Sequence, residues 1–142
     1  MANAEISEVI SVDKDKLFAT IAGYENYPKF VEGVTKVSVE RKAPGRARVT
    51  YNVSMMKDVV YVLDHVENPE KGEISWELVE SNDMKKNSGK WTLKSAGAGK
   101  TQVDYQIEIE FNFPIPGFIL NRLIKGSLPA MLKSFDKQAK KA

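Results

Sequence analysis

Apolar and polar residues alternate through most of the middle of the chain, and a period of two marks strands that bury one face. The clearest run is Val103, Tyr105, Ile107, Ile109, Phe111 and Phe113, with polar residues between them until the last. Ala47, Val49, Tyr51, Val53 and Met55 alternate in the same way with Arg46, Arg48, Thr50, Asn52 and Ser54. Ile74, Trp76 and Leu78 predict another strand, Trp91 and Leu93 a further one, and Val37 and Val39 one near the start of the series. The run VVYVLDHV (59–66) also predicts a strand, but both its faces are apolar and they cannot be separated. APG (43–45) and NPEKG (68–72) are the punctuation between strands.

The two ends read differently. AEISEVISV (4–12) alternates well enough for a first strand, and Asp13 then suits a helix N-cap, with Asp15 favoured by the helix dipole. Leu17, Phe18 and Ile21 form one helical face that stops at Gly23. A second short helix starts near Asn26, holds Pro28 in its first turn and ends by Gly33. From Pro116 onward, Leu120, Ile124, Leu128, Met131, Leu132 and Phe135 recur three or four apart, the stripe of an amphipathic helix. Gly126 costs ~1 kcal/mol and Pro129 ~3 kcal/mol in a helix interior, so a kink or break is expected there. Lys137, Lys140 and Lys141 complement the negative end of that helix.

The stretch KSAGAGKT (94–101) ends like a phosphate-cradling loop. Such a loop needs a glycine at the position of Lys94 and a helix after Thr101, so that backbone N–H groups converge on the anion. The period-two run from Val103 excludes that helix. A hairpin turn joining two strands is the reading, centred near Gly97 and Ala98, which sets Trp91 opposite Tyr105 and Gly89 opposite Ile107. A glycine inside a strand marks a bend or a close approach by another group.

The order is therefore one strand, two short helices, about six strands and a terminal helix: an α+β domain with an antiparallel sheet covered by the last helix. The 142 residues suit a single domain, 1–142. Lys and Arg number 21 against 19 acidic residues, a net charge of +2, too balanced to call for DNA and unfavourable to RNA or ribosome contact. There is no cysteine and one histidine, so thiolate zinc and multi-histidine sites are excluded; no metal or cofactor is expected. No apolar run is long enough to span a bilayer, and MANAEISEVISV lacks an export-signal layout, which points to a cytoplasmic protein.

The segments ENYPKFVEGV (25–34), ISWELVES (74–81), SGKWTL (88–93), GKTQVDY (99–105) and PIPGFILNRLIKGSLPAMLKSF (114–135), in this order of elements, resemble the START-like, helix-grip (SRPBCC) superfamily, and within it the polyketide cyclase/dehydrase and coenzyme Q-binding branch. The resemblance implies a curved antiparallel sheet of about seven strands wrapped around a long C-terminal helix, with two short helices after the first strand. It also implies a deep, mostly apolar cavity between sheet and helix, gated near the short helices and the start of the long one. Superfamily members include lipid and quinone carriers, aromatic cyclases and ribosome-associated proteins.

Inward-facing positions name the candidate ligand-binding residues: Tyr51, Val53, Met55, Trp76, Trp91, Tyr105 and Ile107 from the strands, and Leu120, Ile124, Leu128 and Met131 from the helix stripe. Tyr61 joins the aromatic group; rings of this kind orient a ligand or serve equally well in an ordinary strand core. Glu8 is the candidate catalytic carboxylate, because period two places it on the face of Ile6 and Ile10; the competing reading sets it on the outer face. His65, close to the NPEKG turn, is expected to be a solvated strand-end histidine. The expected function is binding, transport or sensing of a hydrophobic small molecule such as a lipid, isoprenoid, quinone or aromatic polyketide-like compound. An aromatic cyclase or dehydratase is the alternative, and a ribosome-docking protein the second. The surplus of apolar residues over 113–124 suggests transient contact with a membrane surface.

Overall fold

In a computed structural model, residues 2–54 and 57–141 are described, with positions 2, 123 and 124 as backbone only. Strand β1 (Ala2–Ile10) leads into helix α1 (Lys14–Ala22), a 3-10 turn (Tyr24–Asn26) and helix α2 (Tyr27–Phe30). Six strands follow: β2 (Val34–Ala43), β3 (Arg46–Ser54), β4 (Asp58–Asn68), β5 (Glu73–Ser81), β6 (Met84–Ser95) and β7 (Thr101–Phe111). Helices α3 (Gly117–Ile124) and α4 (Leu128–Lys141) complete the chain. All strand pairs are antiparallel, in the order β1-β7-β6-β5-β4-β3-β2, so the first strand closes one edge and the second the other.

The alternation read from the sequence is the burial pattern of the sheet. Ala47, Val49 and Tyr51 on β3, Ile74 and Trp76 on β5, and Val103, Tyr105 and Ile109 on β7 are buried, while their neighbours face solvent. β4 resolves its ambiguity: Val59, Leu63 and His65 are buried, with Tyr61 half-buried on the same face, and Val60 and Val66 are exposed. The KSAGAGKT stretch is the β6–β7 hairpin, with Gly97 at φ +119° and Gly99 at φ +70°, backbone angles that side chains resist. Trp91 pairs with Tyr105 and Gly89 with Ile107, as the turn placement requires.

The inner face is covered by α4, which buries Leu128, Leu132, Phe135 and Ala139, one stripe at helical spacing. The terminal stripe is broken rather than continuous. α3 stops at Ile124, and Pro129 falls in the first turn of α4, where its missing N–H is no loss. Leu17 and Ile21 of α1 pack into the same core. A second, smaller cluster of Val59, Met84 and Ile109 lies under Phe111, Phe113 and Leu120 of α3. Ala4, Tyr61, Leu78 and Ile107 pack against both clusters. Among the described residues no helix is long and apolar enough to cross a membrane.

Gly89 sits in a cross-strand row that runs His65, Trp76, Gly89, Ile107, Ala4. A Cβ there would run into the Trp76 ring and the Gln106 carbonyl oxygen, so the bare backbone is what lets the indole lie across β6. Gly89→Ala should lower stability by about 1–3 kcal/mol in denaturant unfolding and shift the tryptophan emission. Gly117→Ala, where an added Cβ meets nothing, should do neither.

Candidate functional site

Between the sheet and α4 lies a chamber of about 140 Å³. β3 and β4 supply Tyr51, Tyr61, Leu63 and His65; β5, β6 and β7 supply Trp76, Asn87, Trp91, Tyr105 and Ile107. Met131 and Phe135 of α4 form the cover, and Tyr27, Val31 and Val34 close the side nearest α2. Val31, Val34, Tyr61, Ile107 and Met131 are only half-buried, so the chamber is open to solvent along part of its wall. A wider depression of about 1170 Å³ shares only Trp76 and Ile107 with it. That depression carries Glu5, Arg46, Asp64, Glu77, Lys90 and Glu108, solvated groups unsuited to desolvating an apolar guest.

Aromatic rings set the geometry of the walls. Tyr51 and Tyr61, direct partners across β3 and β4, stack with centroids 5.3 Å apart. Trp91 meets Tyr105 at 4.7 Å edge to face, and Trp76 meets Tyr105 at 5.6 Å. The polar tips are largely paired with each other. Trp76 Nε1–H donates to Asn87 Oδ1 at 3.0 Å, and the Asn87 amide nitrogen reaches only the Met84 thioether at 3.7 Å. Tyr27 donates its hydroxyl proton to the Ile21 carbonyl.

His65 is the residue whose environment differs most from expectation. It is buried because period two along β4 puts it on the face of Leu63, not because of where the strand ends. Its Nε2 lies 2.8 Å from the Tyr51 hydroxyl, and the Tyr24 ring stacks on it at 4.3 Å. Tyr24 in turn donates to Glu67 Oε2 at 2.7 Å, and the Arg41 guanidinium holds both Glu67 oxygens at 2.9 Å. Burial pushes the His65 pKa down from 6.5 to about 3, and the nearby Arg41 charge adds to the effect. His65 Nδ1 is buried without a partner. A buried orphan N–H is rarer than an orphan acceptor, which favours the tautomer with the proton on Nε2, donating to the Tyr51 oxygen and leaving the Tyr51 O–H free of that bond.

Burial also raises the pKa values of Tyr51, Tyr61 and Tyr105; neighbouring phenols add to it, Tyr27 and Tyr61 at Tyr51 and Tyr61 at Tyr105. Every titratable group in the wall is therefore neutral near pH 7. Among the described residues no cluster of three or more His, Asp or Glu could hold a metal ion.

Of the positions named from the sequence, Tyr51, Trp76, Trp91, Tyr105, Ile107 and Met131 form walls, as does Tyr61. Val53 packs against the core beside them, Leu128 is buried at the start of α4, and Leu120 belongs to the smaller cluster under α3. Met55 and the Ile124 side chain lie outside the described residues. Glu8 does not enter the chamber. It is exposed, because β1 is an edge strand with β7 as its only neighbour, and an isolated carboxylate there reaches water instead of the core. Leu63, His65, Asn87, Phe135, Tyr27, Val31 and Val34 are the walls not named beforehand. Asn87 could have been found by stepping back by twos from Trp91 through Gly89.

A curled seven-stranded sheet gripping a C-terminal helix around an aromatic-lined hollow defines a START-like, helix-grip protein. The chain belongs to the polyketide cyclase/dehydrase and lipid transport family, whose model matches residues 10–136. The fold resembles the Zhui aromatase/cyclase from Streptomyces sp. R1128, with a TM-score of 0.86 at 14% identity over 98% of this chain and 93% of that one. It also resembles a START superfamily protein from Mycobacterium smegmatis, with a TM-score of 0.85 at 15% identity over 98% and 97%. The major latex-like protein 151 of Panax ginseng is more distant, with a TM-score of 0.69 at 14% identity over 97% of each chain. No curated protein matches the chain.

The depressed pKa of His65 carries a sign that can be checked. Between pH 6.5 and about 3 the unfolded chain binds a proton there that the folded chain does not, so stability falls as pH drops through this window. From pH 7 to 4.5 the native protein should lose roughly 2–3 kcal/mol more in denaturant unfolding than His65→Phe does. Equal losses in the two proteins would mean that His65 is open to solvent.

Proposed function

We propose that this protein binds a small hydrophobic molecule in the chamber under α4 and carries or senses it without chemical change. The observation that supports this reading is the character of the wall: rings and aliphatic side chains, with polar groups that are all uncharged at neutral pH. Acid–base catalysis works best with a group that titrates near the operating pH. His65 is pulled far below that range and the tyrosines are pushed above it, which counts against a cyclase or dehydratase. Glu8, the carboxylate that the catalytic alternative needs, is exposed.

The volume limits the guest. An apolar space of about 150 Å³ holds one benzene-sized ring. The chamber, at about 140 Å³, therefore fits a single ring or the ring-bearing head of a longer molecule, and a full lipid chain requires its half-buried wall residues to move apart. Burying ~200 Å² of apolar guest contributes about 5 kcal/mol before association costs, so affinities of about 10 µM to 1 mM are expected for single rings. Calorimetric titration with toluene or indole tests this. Met131→Trp, which fills the chamber from the helix side, should weaken binding at least about tenfold with little change in the unfolding midpoint. No binding to the native protein, or equal binding to the filled variant, would count against the chamber as the site.

A further inference from the structure

Five tyrosines are present, and three have their hydroxyls engaged: Tyr24 on Glu67, Tyr27 on the Ile21 carbonyl and Tyr51 with His65. Tyr61 and Tyr105 make no hydrogen bond among the described residues, although both line the chamber and Tyr105 is only 7% exposed. Neither hydroxyl is among the fully buried unpartnered atoms, so each keeps accessible surface and is free to donate to a guest in the chamber that both residues line. The two phenols reach the same space from separate strands, Tyr61 from β4 and Tyr105 from β7, with β5 and β6 between.

We infer that the chamber selects an uncharged ring compound bearing a hydrogen-bond acceptor, such as a carbonyl or ether oxygen, and that the Tyr61 and Tyr105 hydroxyls donate to it. The inference rests on the binding reading above and goes further by stating which guests are preferred. The other spare capacity of the wall is of the same kind. Asn87 has its oxygen occupied by the Trp76 indole and its amide N–H groups facing only a thioether, a weak acceptor. Tyr51, freed by the His65 tautomer, offers a further O–H.

Anions are disfavoured for a separate reason. Among the described residues no Lys or Arg lines the chamber, and the nearby Arg41 is held by Glu67. A carboxylate would lose its hydration and gain no countercharge. A hydrocarbon of the same shape would bury the same rings but leave both phenols unpaired.

The test compares acetophenone, ethylbenzene and benzoate, which share a ring and differ at the substituent, by calorimetric titration. The native protein should bind acetophenone at least about tenfold more tightly than ethylbenzene, and benzoate more weakly than either. Tyr61→Phe with Tyr105→Phe should lose the preference for the ketone, bringing the ratio of ketone to hydrocarbon affinity to about one. Equal affinity of the native protein for ketone and hydrocarbon overturns the donor role while leaving the chamber a binding site. Benzoate binding as tightly as the ketone overturns the selection against charge. Failure of both neutral rings to bind overturns the reading on which the inference rests. A measurement without any guest provides a second check: because the two hydroxyls are unpaired, the Phe variants should unfold no more easily than the native protein, and a marked loss of stability would show that the hydroxyls already have partners.

Discussion

The Phe135 ring meets Tyr27, Phe30 and Trp91 edge to face, at centroid separations of 5.4, 5.1 and 5.2 Å. Through this contact α4 touches the α2 segment and the sheet at once. Tyr27, Trp91 and Phe135 of this group also line the chamber. Removing the contact would free both the cover and the side of the hollow, so the packing that stabilises the fold also shapes the site.

Neutrality is the second constraint, and it follows from the first. Rings that exclude water lower the local dielectric, and every titratable group among them retreats to its uncharged form. The charges stay outside: Arg48 with Asp64 and Lys86 with Glu108 form ion pairs on the outer face of the sheet, and Arg41 with Glu67 stands behind the Tyr24 ring. A surface that is nearly balanced in charge thus encloses an interior without any. Such an interior is well suited to hold a neutral molecule and poorly suited to move protons.

Much of this was open to reading in the chain. Period two determined which of Tyr51, Trp76, Trp91, Tyr105 and Ile107 face inward, because adjacent side chains on a strand must point to opposite faces. Gly97 and Gly99 marked the hairpin, and Gly126 with Pro129 marked the break before α4, since backbone sterics act locally. Glu8 shows the limit of that logic. Its parity was right for the core, but parity says nothing of whether a strand lies at the edge of a sheet, where a carboxylate can escape to water.

What the tertiary structure alone decided was long-range. The two faces of β4 are equally apolar, and only the packing of α4 and Tyr24 on one of them made His65 an interior residue. Tyr27, Val31 and Val34 reach the chamber because the α2 segment folds back over it, a path that no spacing of residues encodes. Local alternation and turn chemistry follow from covalent geometry over a few bonds, whereas the closing of a hollow depends on elements more than a hundred residues apart in the chain, such as Tyr27 and Phe135, arriving at the same place.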